Sequence, residues 1–248
     1  MTTMHRKQSE SGFYHVMARG VGKAIIYEDD ADRTRFLELL SRLTRESKVG
    51  LYAWCLMDNH YHILVQGDLG DVSELLQLLN GTYARYFNER HGRSGHLFQG
   101  RFESEAIDTD SYFLTVLRYI HQNPLRACIS STESYPWSSY REYSDTPWIC
   151  NTDFGLSLLG GPRGFIAFHR YVDESAVCVD IHGSRKSMST EMLLDIARCV
   201  LGNTRPEDVA GLNRQQRNDA LRTLKEAQLS LRQIERITGV SKSVVARA

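Results

Sequence analysis

Paired cysteines, a net charge and a long apolar run are all missing from this chain. The five cysteines in 248 residues, Cys55, Cys128, Cys150, Cys178 and Cys199, are odd in number, widely spaced and include no CxxC pair. That excludes a disulfide framework and a cysteine-built zinc site, and it fits a reduced, cytoplasmic setting. No segment reaches the ~18 uninterrupted apolar residues of a membrane span. The opening MTTMHRKQSESGFYHV has no apolar core of signal-peptide length, so neither secretion nor membrane insertion is expected. Thirty Lys and Arg balance thirty Asp and Glu, so no global field recruits nucleic acid or an acidic surface. Any such binding must rest on local patches. Internal repeats and low-complexity tracts are also lacking.

What is present is 42% hydrophobic residues, enough for a sizeable core in one large domain or in a domain with a small appendage. Phe13 to Arg19 reads as a strand, and Asp29 to Lys48 as an amphipathic helix with Phe36, Leu37, Leu39, Leu40 and Leu43 as its stripe. Leu51 to Met57 and His60 to Gln66 are strand-like runs separated by Asp58-Asn59, two residues able to adopt positive φ in a tight hairpin. Val72 to Arg90 reads as a helix, Phe102 to Ile107 as a short strand, and Asp108 to Gln122 as a helix capped by Asp108 or Thr109 and closed at Asn123-Pro124. This order predicts an α+β domain over residues 1–145, with a ferredoxin-like antiparallel sheet. Residues 146–187 read as a packed arm and connector. Residues 188–248 read as a small all-α domain, with helices at Thr190 to Leu201, Arg214 to Ala227, Leu231 to Ile237 and from Lys242 onward.

The stretch MDNHYHILV places His60 and His62 on one face of a strand with Leu64 and Gln66, while Tyr61, Ile63 and Val65 take the other. On spacing alone the pair is either two hydrogen-bonded surface histidines or part of a metal site that needs a further donor. In YFLTVLRYIHQN, the residues Phe113, Leu117 and Ile120 form a core stripe, and Tyr112, Val116, Tyr119 and Asn123 a neighbouring face. Tyr119 and Asn123 thus sit one turn apart. Read alone, they are a half-buried tyrosine and a helix cap.

Four motifs in order, HYH after a short turn, the Gly/Arg-rich GHLFQGRF, RYIHQNPLRA and YPWSSY, resemble the single-tyrosine HUH transposases. The likeness is to the REP-associated tyrosine transposase branch of these IS200-like enzymes. It runs from about Phe13 to Tyr140 and takes in Ala18-Arg19-Gly20 and the Asp-rich start of the first helix. It departs at Asp58, where an MPNH-type turn carries proline. The resemblance implies Mg²⁺ or Mn²⁺ held by His60 and His62, with the amide oxygen of Asn123 as third protein ligand, and no nucleotide cofactor. It further implies that Tyr119 attacks phosphorus in line, expels a 3′-hydroxyl and keeps the 5′ end as a phosphotyrosine. The DNA partner implied is single-stranded and folded into hairpins, and the protein is a monomer or a homodimer.

Arg85, Arg90, Arg93 and Arg101, with His91, His96 and Phe98, form a basic and aromatic cluster suited to phosphates and unstacked bases. Arg19 and Arg126 are further candidates, although Arg126 could equally neutralise a helix terminus. Near the C-terminus, LSLRQIERITGVSKSVVARA reads as a helix-turn-helix. Ser230 caps one helix, Ile234 and Ile237 face inward, Gly239 makes the turn, and Ser241 caps a second helix carrying Lys242, Ser243 and Arg247. Residues 214–247 hold eight Lys/Arg against three Asp/Glu, a local net of +5, suited to duplex DNA or, alternatively, to a small bundle for partner contact. Two functions follow: a metal-dependent single-strand DNA transferase, or a domesticated DNA-binding regulator that keeps the fold without the chemistry.

Overall fold

The computed structural model describes residues 7–170 and, towards the C-terminus, 194, 197–198, 200–202, 204–226, 229 and 231–247. They fall into two compact units, residues 7–170 in the first and the described residues from 194 onward in the second. Among the described residues, no helix is long and apolar enough to cross a membrane.

In the first unit, β1 (Phe13–Arg19), β2 (Gly50–Met57), β3 (His60–Gln66) and β4 (Glu103–Ile107) form an antiparallel sheet in the order β2-β3-β1-β4. The long helices are α1 (Asp30–Glu46), α2 (Leu69–Arg90) and α3 (Asp110–Arg126). Strand alternation sends Tyr14, Val16, Ala18, Tyr61, Ile63 and Val65 into one core with Phe36 and Leu40 of α1 and Leu76, Leu79 and Tyr83 of α2. Phe13, Leu64 and Ile107 point the other way, into a second core with Phe113, Val116, Leu117 and Ile120 of α3. The sheet is therefore covered on both faces. Phe36, fully buried, meets the rings of Tyr27, Tyr61 and Tyr83, and its truncation to alanine would cost about 3–5 kcal/mol.

The caps explain the helix starts. The Asp29 side chain accepts from the Asp32 backbone N–H at 3.1 Å, and the Thr109 hydroxyl accepts from the Tyr112 N–H at 3.2 Å. Two boundaries differ from expectation by three residues or more. α2 begins three residues earlier, at Leu69, and α3 runs through Pro124 to Arg126. The proline takes away one backbone donor, but the last turn closes around it: the Ala127 N–H donates to the Asn123 carbonyl at 3.0 Å and the Ile129 N–H to the Pro124 carbonyl at 2.9 Å. With Pro124 buried, packing outweighs its local preference to end a helix.

The β2–β3 hairpin is as tight as expected, with Met57 paired to His60, but neither Asp58 nor Asn59 adopts a positive φ. The turn is held from outside instead. The Ile26 N–H donates to the Asp58 carbonyl at 2.8 Å, and the Gly20 N–H to the Asn59 carbonyl at 2.9 Å. Gly20 itself has to be glycine, because a Cβ there would lie 2.1 Å from the Ala24 carbonyl oxygen.

Residues 140–170, of which those from 146 onward are expected to be arm and connector, fold into α4 (Tyr140–Ser144), α5 (Asp153–Leu159) and α6 (Pro162–His169). Tyr140, Tyr143 and Phe165 pack in the α3 core. The buried Glu142 carboxylate ties this region to the sheet. It accepts from the Trp54 indole at 2.7 Å and from the backbone N–H groups of Trp148, Ile149 and Cys150 at 2.9, 2.7 and 2.8 Å.

The second unit contains a 3₁₀ turn (Pro206–Gly211) and helices Arg214–Glu226, Leu231–Thr238 and Lys242–Arg247. They share a core that includes Val209, Leu221, Leu224, Ile234, Ile237 and Val245. Most of the helix expected over Thr190 to Leu201, the capping Ser230 and the connector from 171 to 187 lie outside the described residues.

Candidate functional site

The register of the central strands sets Met17 opposite His62 and Arg19 opposite His60, so both histidines rise from β3 on the face covered by α3. His62 is fully buried. Its Nδ1 lies 2.9 Å from Nε2 of His15 on β1, and its Nε2 has no hydrogen-bond partner. Burial, reinforced by His60 and His15, holds His62 well below the ordinary histidine pKa, so it is neutral at pH 7. The rings of His60 and His62 stand 5.0 Å apart at 89°. The partly exposed His60 has its Nδ1 2.7 Å from the Asn59 amide oxygen, the kind of second contact that orients a ligating imidazole.

Tyr119 comes to the same place from α3. It is 5% exposed, and its ring centroid lies 5.6 Å from that of His62 and 5.7 Å from that of His15. The Arg126 guanidinium sits 5.1 Å from the Tyr119 ring centroid, close enough for a cation–π contact. One turn on, the Asn123 side-chain N–H donates to the Tyr119 carbonyl at 3.0 Å. That engages the amide nitrogen and not the amide oxygen.

Among the described residues, no three His, Cys, Asp or Glu side chains gather into a metal site. Two imidazoles and an amide oxygen are nevertheless a reasonable donor set for a divalent ion that keeps water and phosphate as further ligands. The neutral, buried and unpartnered Nε2 of His62 is the observation that fits such an ion.

The basic cluster is only partly assembled as expected. The Gly/Arg-rich loop is pinned to the end of β1: the Gln99 N–H donates to the Arg19 carbonyl at 2.8 Å and the Val21 N–H to the Leu97 carbonyl at 3.0 Å. Arg19 and Arg101 line one small cleft with Met17, Gln99 and Glu103, at the sheet end that carries His60. Arg85, Arg93, His96 and Arg101 are exposed. Arg90 is bound to Asp29 at 2.6 Å and also pairs with Asp32, and the contact with Arg90 holds the Asp29 carboxyl well below the usual range. Phe98 is 8% exposed and belongs to the core, so its ring is not presented as a stacking platform. In the second unit, Lys242, Ser243 and Arg247 are exposed, and the Ser241 carbonyl accepts from the Val245 N–H at 3.0 Å.

Sequence reasoning missed His15. The signal was available: a polar residue at a core-facing position of a strand, with the same parity as Phe13. A second buried imidazole pair went equally unnoticed. His121 Nδ1 lies 3.0 Å from His169 Nε2, and His121 Nε2 2.8 Å from the Ser139 hydroxyl. Burial holds His121 well below its ordinary pKa and His169 down to about 3.

Residues 8–123, a little under half of the chain, match the family model described as transposase IS200 like. Two solved structures are similar at 15% identity. One is a REP-associated tyrosine transposase bound to a REP hairpin, with a TM-score of 0.47 over 58% of this chain and 85% of that one. The other is a candidate transposase from Deinococcus radiodurans R1, with a TM-score of 0.33 over 49% and 95%. No curated protein matches the chain.

Proposed function

We propose that this transposase nicks and rejoins single-stranded hairpin DNA through a covalent phosphotyrosine link. The ferredoxin-like sheet of residues 1–145 supplies the nuclease site. The observation that carries the reading is the buried, unpartnered Nε2 of His62 next to the ring of Tyr119. His60, His62 and Asn123 would hold the ion, and Mg²⁺ or Mn²⁺ bound there would supply Lewis-acid polarisation of the scissile phosphate. The Tyr119 oxygen forms the new bond to phosphorus, the bond to the 3′-oxygen breaks, and the departing strand end takes up a proton as a 3′-hydroxyl. The phosphodiester bond is conserved in this exchange, so the reverse attack reseals the strand. Arg126, over the Tyr119 ring, favours the phenolate and the incoming phosphate. Arg19, Arg85, Arg93, His96 and Arg101 track the DNA backbone, Arg90 contributes only as far as its carboxylate partners release it, and the buried Phe98 supports the loop.

Residues 188–248 we assign to duplex DNA as a helix-turn-helix. In support, Gly239 has φ +70° between two short helices, and Lys242, Ser243 and Arg247 are exposed on the second. A regulator that kept the fold without the chemistry has no use for an unsatisfied imidazole beside a tyrosine. The test is incubation of the protein and Mn²⁺ with a panel of single-stranded hairpins. A protein–DNA adduct that survives denaturation is expected. A protein that forms none with any hairpin, yet binds duplex DNA tightly, is the regulator instead.

A further inference from the structure

Two buried imidazole nitrogens at the sheet centre lack hydrogen-bond partners: Nε2 of His62 and Nδ1 of His15. They are the outer ends of one chain, because the inner nitrogens, His62 Nδ1 and His15 Nε2, lie 2.9 Å apart. A neutral imidazole carries one N–H and one lone pair, so a single proton between the inner nitrogens fixes the state of both ends. At the His15 end the nearest charge is the Glu105 carboxylate on β4, with Oε2 3.9 Å from His15 Nδ1 and side-chain exposures of 0% for His15 and 26% for Glu105. The β1–β4 register sets these two residues directly opposite each other.

Only one of the two neutral arrangements suits this environment. If His15 donated to His62, its Nδ1 lone pair would face the carboxylate, and His62 would bury an Nε2–H with no acceptor; both ends would be unfavourable. If His62 donates through Nδ1–H, His15 turns an N–H towards Glu105 and His62 turns a lone pair into the space beside Tyr119.

We infer that His15, backed by Glu105, is a positioning residue that holds His62 as the Nδ1–H tautomer with its Nε2 lone pair presented to a divalent cation. This rests on the proposed metal-dependent reading of the site and extends it to a second strand. His60 has the nearer partner, Asn59, so the two ligands are oriented independently, one from the turn and one from β1.

The experiment uses the full chain and two readouts that need no turnover. In metal-free protein at pH 7.5, ¹⁵N chemical shifts of histidine report the tautomer of His62, and the Nδ1–H form is expected. Calorimetric titration with Mn²⁺ should give an affinity roughly 10- to 100-fold weaker for His15→Phe than for the parent, the usual loss when the group orienting a metal-bound histidine is removed. His15→Gln, whose amide oxygen accepts from the same N–H, should recover part of that loss. Glu105→Gln, an isosteric change at a partly exposed site, keeps the test open if His15→Phe does not fold, and it should weaken Mn²⁺ binding by a smaller factor. An Nε2–H tautomer in the parent, or folded His15→Phe and Glu105→Gln proteins that bind Mn²⁺ as the parent does, overturns the inference. A parent that binds no Mn²⁺ at all overturns the metal-site reading, and with it the purpose given to His15.

Discussion

The ring of Tyr119 stands edge-on to that of His62, with planes at 90° and centroids 5.6 Å apart. A helix and a strand far apart in sequence thus bring to one point the tyrosine and the histidine proposed as nucleophile and metal ligand. Tyr119→Phe keeps the ring, so packing should hold, while the one oxygen able to bond phosphorus is gone. Adduct formation on a cleavable hairpin should fall by roughly 10³-fold or more, with hairpin affinity within about twofold of the parent. Cleavage at parental rates by Tyr119→Phe would sink the covalent mechanism.

Acid should loosen the first unit in a defined window. His121 and His169 are buried with pKa values held below the unfolded histidine value, His169 at about 3. The unfolded chain therefore binds more protons than the native one below about pH 6.5. The stability these groups contribute is intact above that pH and is lost as pH falls towards 3, at roughly 1.4 kcal/mol per pH unit for each neutral histidine. Between pH 7.5 and 5.5 these two histidines should account for about 3 kcal/mol of the difference in urea titrations, and the buried His62 adds in the same direction. A flat profile would mean that these imidazoles are already protonated in the native state.

Glu142→Ala should be among the most damaging single changes. It leaves the Trp54 indole and three backbone N–H groups without their acceptor inside the protein, at a cost of about 3–5 kcal/mol. Glu142→Gln should cost less, because its amide oxygen can still accept. Thermal melting of the two variants against the parent checks the order.

Replacing Lys242 and Arg247 together by alanine should weaken duplex binding. The slope of log K against log salt should become shallower by roughly 2, if each contacts one phosphate. Hairpin cleavage should persist. An unchanged salt slope would remove these side chains from the duplex interface.

The sequence made some of this legible and hid the rest for identifiable reasons. Alternation alone put His60 and His62 on one face, and helical spacing put Tyr119 and Asn123 one turn apart, because both depend only on local backbone geometry. His15 could not be joined to His62 without the β1–β3 register, which is a long-range property. The helix through Pro124 and the negative φ values in the Asp58-Asn59 turn likewise depend on tertiary packing and on donors from the segment 20–26. Phe98 looked like an exposed aromatic in a basic loop, but the sheet end needed its ring as core.

Both members of the Tyr119–His62 contact come from one chain, and α3, which carries Tyr119, is buried from Val116 to Pro124 between the sheet and the helices that follow it. Lending this helix to a second copy would strip cover from one whole face of the sheet. If the proposed site works within one chain in this way, two inactive variants are expected not to rescue each other. An equimolar mixture of Tyr119→Phe and His62→Ala proteins should show no complementation on any hairpin the parent cleaves.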